Sequence, residues 1–234
     1  VKILFDRRLY SAASKTLEKA TELAKETEDF ASLLQIQIWK RRLNKELGGG
    51  EEKGISENLR QEVKELLQKI DRYFHQYYLY DSLLFTVQEV NRIRNLASDT
   101  TLEELISSAS DQVEPPEAEF NSRHFFYQIR GMLCYMEGEN SEAANWFSKL
   151  QAWWEAHPEQ INMDPGRYKA ILANALSMDL LTENYSRFEI GYHSFLAAPS
   201  SNLHEIFRSE QQINYLQSIY LLNQLPTDRR KVDQ

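Results

Sequence analysis

The chain has 234 residues, with 27 lysines and arginines against 35 aspartates and glutamates, a net charge of −8 and a pI near 5.3. A balance this acidic opposes duplex nucleic acid, whose affinity rests on neutralised phosphates, and a single cysteine, Cys134, excludes an intrachain disulfide and a thiolate metal cluster. Only eight glycines and six prolines argue against an all-β chain, and no apolar run reaches the roughly 18 residues of a membrane span.

From the start, Leu9, Ala13, Leu17, Ala20 and Ala24 recur at helical spacing within residues 3–26, which predicts a helix preceded by the last turn of another. Residues 29–47 predict the next helix, with Phe30, Leu33, Leu34, Ile36, Ile38, Trp39 and Leu43 on a wide apolar face. Lys40-Arg41-Arg42 and Lys45 near its end suit the helix dipole and read as a solvated basic turn. Gly48-Gly49-Gly50 predicts a flexible connection. A phosphate loop is rejected there, because Glu51 and Glu52 follow and no strand precedes.

Residues 55–96 contain no glycine or proline. About forty unbroken residues exceed the usual helix length, so two helices are expected, with a break between Asp71 and Ser82. Thr101 and Glu104 have capping-box spacing, and Pro115-Pro116 is a stiff interruption, so 98–119 is the expected joint.

His124–Pro158 reads as two antiparallel helices. Gly138 is expected at the turn, with Asn140 capping the second helix. Ala143, Phe147 and Leu150 form one stripe of that second helix. Cys134 lies on an apolar helix face and reads as a small buried hydrophobe. Asp164-Pro165 opens another pair, as cap and first helical residue. Asn184, Tyr185, Phe188, Tyr192 and Phe195 then repeat the rhythm of 140–150. Leu203–Leu222 is the last predicted helix. Gln211, Gln212, Asn214, Gln217 and Ser218 are expected to give it a polar outer face.

Tyr127, Gly131, Ala143, Phe147 and Pro158 follow the order of an aromatic and a small residue in one helix, then Ala-x3-aromatic and a proline in the next. Cys134 or Tyr135 stands where a tyrosine is usual. This stretch resembles a tetratricopeptide repeat (TPR). Leu9 to Ala20 resembles the second helix of such a repeat, with Arg8 where glycine usually turns the chain. Phe188 departs from the pattern, which has alanine there. The 45 residues from Ala143 to Phe188 exceed the usual repeat of about 34, the extra length lying in 155–164. The resemblance implies an all-α fold, a right-handed superhelical stack of antiparallel helix pairs with about 9–10 helices. The parts are 1–97, 98–119 as the joint, 120–225 as the C-terminal pairs, and a frayed tail at 226–234. The chain resembles the bacterial TPR-like helical-repeat proteins for which no activity is established.

The five histidines show no His-x3-His spacing, and no nucleophile elbow or papain-like signature is present. A non-catalytic chain without cofactor or metal is therefore expected. The function expected is a protein-interaction scaffold that takes a peptide or helix of a partner in its concave groove. The alternative is a ligand- or peptide-sensing regulatory domain of a larger protein. By the resemblance, Phe125, Gln128, Met132, Tyr135, Ala173 and Ser177 face that groove. Packing of Phe125 and Met132 against neighbouring helices is the competing reading. Tyr73, Tyr77 and Tyr78 form a second candidate cluster, open to the same two readings, with Tyr77 continuing the apolar stripe. No nucleic acid, no membrane and a cytoplasmic location are expected. The chain opens on Val1 in mid-pattern and is expected to belong to something longer.

Overall fold

The computed structural model describes residues 1–47, 53–92, 100–116, 119–200 and 202–224, without the side chains at 53–56, 59, 87–92, 100–103, 203 and 205. The predicted connection at 48–50, the tail at 226–234 and the cap of the 100s helix lie outside these residues. Among the described residues there are eleven α-helices and no strand. In chain order they are α1 (Lys2–Asp6), α2 (Tyr10–Glu26), α3 (Phe30–Glu46), α4 (Lys53–Arg92), α5 (Thr100–Ser110), α6 (Phe120–Met136), α7 (Asn140–Glu155), α8 (Pro158–Met163), α9 (Pro165–Leu181), α10 (Tyr185–Ala197) and α11 (Leu203–Gln224). The expected 9–10 is exceeded because α1 and α8, of five and six residues, are too short to show a periodicity.

The helices form two compact units, one of Val1–Tyr78 with Pro115–Arg123, the other of Leu79–Glu114 with His124–Gln234. In the first, Ala13, Leu17 and Ala24 of α2 meet Leu33, Ile36 and Leu43 of α3 and Leu66 of α4 in one core. Pro115–Arg123 joins this unit through polar contacts. Arg72 pairs with Glu119, Nε to Oε2 at 3.0 Å, and the Glu28 carboxylate accepts the backbone N–H of Asn121 at 2.8 Å in the first turn of α6. In the second unit α9 is the central element, packed by α7, α8, α10 and α11. Ile171, Leu172, Ala173, Ala175, Leu176, Met178 and Leu180 of α9 are all buried, apolar almost all the way round.

Four helix-to-helix turns share one geometry. Arg8, Glu28, Gly138 and Glu183 all have φ between +49° and +80°. After each, the next amide reaches back five residues: Leu9 to Leu4, Asp29 to Ala24, Glu139 to Cys134 and Asn184 to Asp179, at 2.8–2.9 Å. This is the Schellman closure, which satisfies carbonyls a helix end leaves open. The residue after the left-handed one caps the following helix: Leu9, Asp29, Glu139 and Asn184. Gly138 turns the chain as expected, and Arg8 does so without being glycine. Asn140, expected as a cap, is instead the first residue of α7, and Glu139 caps without a side-chain bond. The helix starts one residue earlier than expected, leaving only Glu139 between the left-handed Gly138 and α7. Asp164 and Pro165 do open α9 as expected, Asp164 Oδ1 accepting from Arg167 N at 3.0 Å.

A side chain with positive φ costs roughly 1 kcal/mol that glycine does not. Glu183 is exposed and its side chain is not needed for the closure. Glu183→Gly is therefore expected to raise the melting temperature by about 2–4 °C, read by a thermal denaturation scan; a lowered value would mean that the side chain is required there.

The break expected between Asp71 and Ser82 does not occur. α4 is a single helix of 40 residues, about 60 Å long at 1.5 Å per residue. Helix length was the only argument for a break. The chain offers no glycine or proline there, and Leu66, Gln76, Leu79 and Leu83 keep burying at helical spacing. The change of unit at Tyr78 and Leu79 falls inside the window where the break was expected, because one helix serves two cores. The joint expected at 98–119 is divided: α5 belongs to the second unit and Pro115–Arg123 to the first.

Candidate functional site

Most of the residues expected to face a groove do not do so. Phe125, Gln128, Met132 and Ala173 are buried, Ser177 is half-buried with its hydroxyl donating to Ala173 O at 2.8 Å, and only Tyr135 is exposed. Tyr80 of α4 packs against the Phe125 ring at 5.4 Å, and the Arg167 guanidinium lies over it at 4.9 Å. The segment after α5 follows α6: Tyr127 OH donates to Glu114 at 2.7 Å, and Arg130 donates to Ser110 O at 3.3 Å. These four residues are core.

The second candidate cluster lies at the surface. Tyr73 is half-buried with its ring edge-on to Phe30 of α3 at 5.6 Å. From Tyr73 a ladder of rings runs along α4. Tyr73 meets Phe74 at 5.2 Å and stacks on Tyr77 at 6.4 Å, and Tyr78 touches Phe74 at 6.4 Å and Tyr77 at 5.9 Å. Phe74, Tyr77 and Tyr78 are 47, 39 and 64 % exposed. Positions 73 and 77, and 74 and 78, are one turn apart, so the helix itself sets the ring spacing. Tyr77, expected to continue the apolar stripe inward, is partly out.

Phe30 also lines a cleft of about 440 Å³ in the same unit. Its apolar lining is Phe30, Leu33 and Leu66, and its charged lining is Lys25, Lys40, Lys69, Glu28, Glu62 and Glu65. Gln37 lies on the wall, its Nε2 donating to Glu62 at 2.9 Å, while its Oε1 is buried and has no donor among the described residues. An open acceptor of this kind is a place for a ligand N–H. Glu28, at the end of α2, has a pKa raised by burial and held back by the Asn121 amide it accepts. Phe30 is common to both: it lines the cleft and its ring packs against Tyr73, where the ladder begins.

A smaller cleft of about 200 Å³ lies between α7, α9 and α10 in the second unit. Asp179 is buried at its side, with Arg187 Nε 3.3 Å away, and the same guanidinium donates to the Ser148 hydroxyl. Burial pushes Asp179 up to about 6, with Arg187 acting against the rise. Across the cleft Glu155 accepts from Gln151 at 2.8 Å and from Tyr168 OH at 3.3 Å, and burial with that neighbour pushes Tyr168 up to about 12. Asp179 and Arg187 are not singled out as a pair in the sequence analysis. The signal was there: Asp179 is the one charge in the apolar run Ala170–Leu181, and a lone acid on an all-round apolar helix demands a partner.

Cys134 is buried and its thiol is pushed up by burial. Among the described residues no group of three or more His, Cys, Asp or Glu side chains is placed to hold a metal ion, and no helix is long and apolar enough to cross a membrane. The chain matches no protein-family model, no curated protein and no solved structure.

Proposed function

We propose that the chain is a TPR-like helical-repeat scaffold, non-catalytic, which binds a peptide or helix of a partner protein. Paired helices closed by four turns of one geometry support the repeat reading. The binding reading rests on one observation: Phe30, in the apolar lining of the unit-one cleft, packs against Tyr73, the first ring of an exposed aromatic ladder. Preformed tyrosine and phenylalanine surfaces bury large areas at small entropic cost, and residues of this kind dominate protein interfaces. The charged rim, three lysines and three glutamates, supplies orientation and discrimination more than raw affinity.

The test is a photo-crosslinkable phenylalanine analogue at Tyr78 of the full-length protein, with the same analogue at exposed Glu159 as control. A defined protein adduct is expected at Tyr78 and not at Glu159. With that partner in hand, Phe74→Ala with Tyr77→Ala should weaken binding about 30-fold or more while the melting temperature stays unchanged. Equal adducts at both positions would overturn the proposal.

The second reading, a ligand- or peptide-sensing regulatory domain of a larger protein, draws on the smaller cleft. There a buried carboxylate titrates near 6, so occupancy of the cleft by a charged group would shift its protonation.

A further inference from the structure

The last described helix, α11, was expected to turn a polar face outward. Its inner side holds the buried Ile213 and Leu216, with Tyr220 stacked on Phe188 of α10 at 5.0 Å. The opposite side carries the stripe Phe207, Gln211, Tyr215, Ser218 and Leu222, spaced by three and four residues. Phe207, Tyr215 and Leu222 are 58, 67 and 53 % exposed, and Leu221 beside them is 56 % exposed. Gln211, Gln212, Asn214 and Ser218 are outside as expected, but interleaved with large apolar residues, while Gln217 is half-buried and accepts from Tyr192 OH at 3.2 Å.

The geometry points to a second copy of this chain as the partner of this stripe, with the two α11 helices antiparallel across a two-fold axis near Asn214 and Tyr215. Two independent features select that occupant. The first is the order of side chains: apolar, polar, aromatic, polar, apolar. Read backwards it is the same. An antiparallel copy therefore sets Phe207 against Leu222 and Gln211 against Ser218, apolar on apolar and amide on hydroxyl, as an isologous contact requires. The second is charge. Each copy carries −8, yet no charged residue occurs from Gln211 to Gln224, and the Phe207 end adds one charge of each sign, Arg208 and Glu210. Two acidic chains can meet without like-charge repulsion at a neutral surface, whereas a basic partner would gain nothing from one. The exposed apolar side chains amount to roughly 1,000 Å² over two copies, the size at which specific interfaces begin. This inference does not depend on the unit-one cleft.

The test is sedimentation equilibrium of the full chain across micromolar concentrations. The parent should be in monomer–dimer exchange. Tyr215→Arg sets like charges together at the axis and should weaken the dimer about a hundredfold, with the melting curve of dilute monomer unchanged because the residue is exposed. Register is tested by reciprocal charges. Phe207→Lys alone and Leu222→Glu alone should each dissociate the dimer, and the double variant should restore it, since position 207 faces 222 only in the antiparallel pair. Ile190→Arg, at an exposed site on α10, should leave the dimer intact. A parent that is monomeric throughout, a dimer indifferent to Tyr215→Arg, or a double variant that stays monomeric would each overturn the proposal, whatever else covers the stripe.

Discussion

Trp154→Ala is expected to cost about 4–5 kcal/mol, lowering the melting temperature by about 10–15 °C. The indole is almost fully buried on α7, stacked on Tyr168 of α9 at 6.2 Å and set edge-on to His124 of α6 at 5.6 Å. It thus fills the space among three helices. It also donates Nε1–H to His124 Nδ1 at 2.9 Å. The imidazole is therefore neutral with its proton on Nε2, and burial, with Arg167 nearby, holds its pKa well below 6.5. Truncation leaves a cavity and a buried acceptor without its donor. Trp154→Phe keeps most of the ring and loses the donor, so about 1–3 kcal/mol is expected. Chemical denaturation of both variants separates the packing part from the hydrogen bond. Equal losses in the two would mean that the cavity contributes nothing. His124 adds a pH dependence. The unfolded histidine takes up a proton as pH falls through 6.5 and the folded one does not. Its contribution is complete above pH 6.5 and declines below it by about 1.4 kcal/mol per pH unit until the folded pKa is reached.

Arg187→Ala is the second large effect, and its size should depend on pH. Asp179 has its folded pKa raised to about 6 from an ordinary 3.8. The folded state therefore holds the proton more tightly, and this contribution is complete below pH 3.8 and fades as pH rises through 6. Removing the guanidinium leaves the carboxylate buried and unpaired. At pH 8 the loss should be about 2–3 kcal/mol, less than for a wholly buried pair because Arg187 is 38 % exposed. At pH 5 Asp179 is mostly protonated in the folded state, and only hydrogen bonds are lost, about 1 kcal/mol. Denaturation midpoints of parent and variant at the two pH values check this. A loss equal at both would show that Asp179 is not charged by pH 8. In the parent the two linkages oppose each other just below pH 6, Asp179 gaining as pH falls and His124 losing.

Much of the fold could be read from the chain because its signals are local. Asp164-Pro165 and Gly138 mark ends by residue chemistry alone, and the all-α class follows from apolar spacing. What could not be read depends on neighbours. Arg8 and Glu183 occupy left-handed positions that only the closing hydrogen bonds of two helices enforce. Gly131 was read as the small residue of a repeat, and a Cβ there would meet Phe147 at 2.9 Å. Leu176, seven residues before Glu183 as Gly131 is before Gly138, shows the reverse arrangement, since it is Gly191 on the other helix that leaves it room. Phe125 and Met132 carry the same pattern whether a partner or the chain itself covers them. The ladder at 73–78 was visible for a simpler reason: consecutive aromatics on one helix cannot all turn inward.

The make-up of the first unit has a consequence for how the protein is made. Residues 1–78 leave the ribosome well before 115–123, which complete the same body. Until that later stretch has been synthesised, Glu28 lacks the Asn121 amide and Arg72 lacks Glu119. The nascent N-terminal third must therefore wait, half-assembled, for a piece encoded some forty codons downstream. A gene fragment cut anywhere inside α4 would yield a product permanently short of its own closing residues.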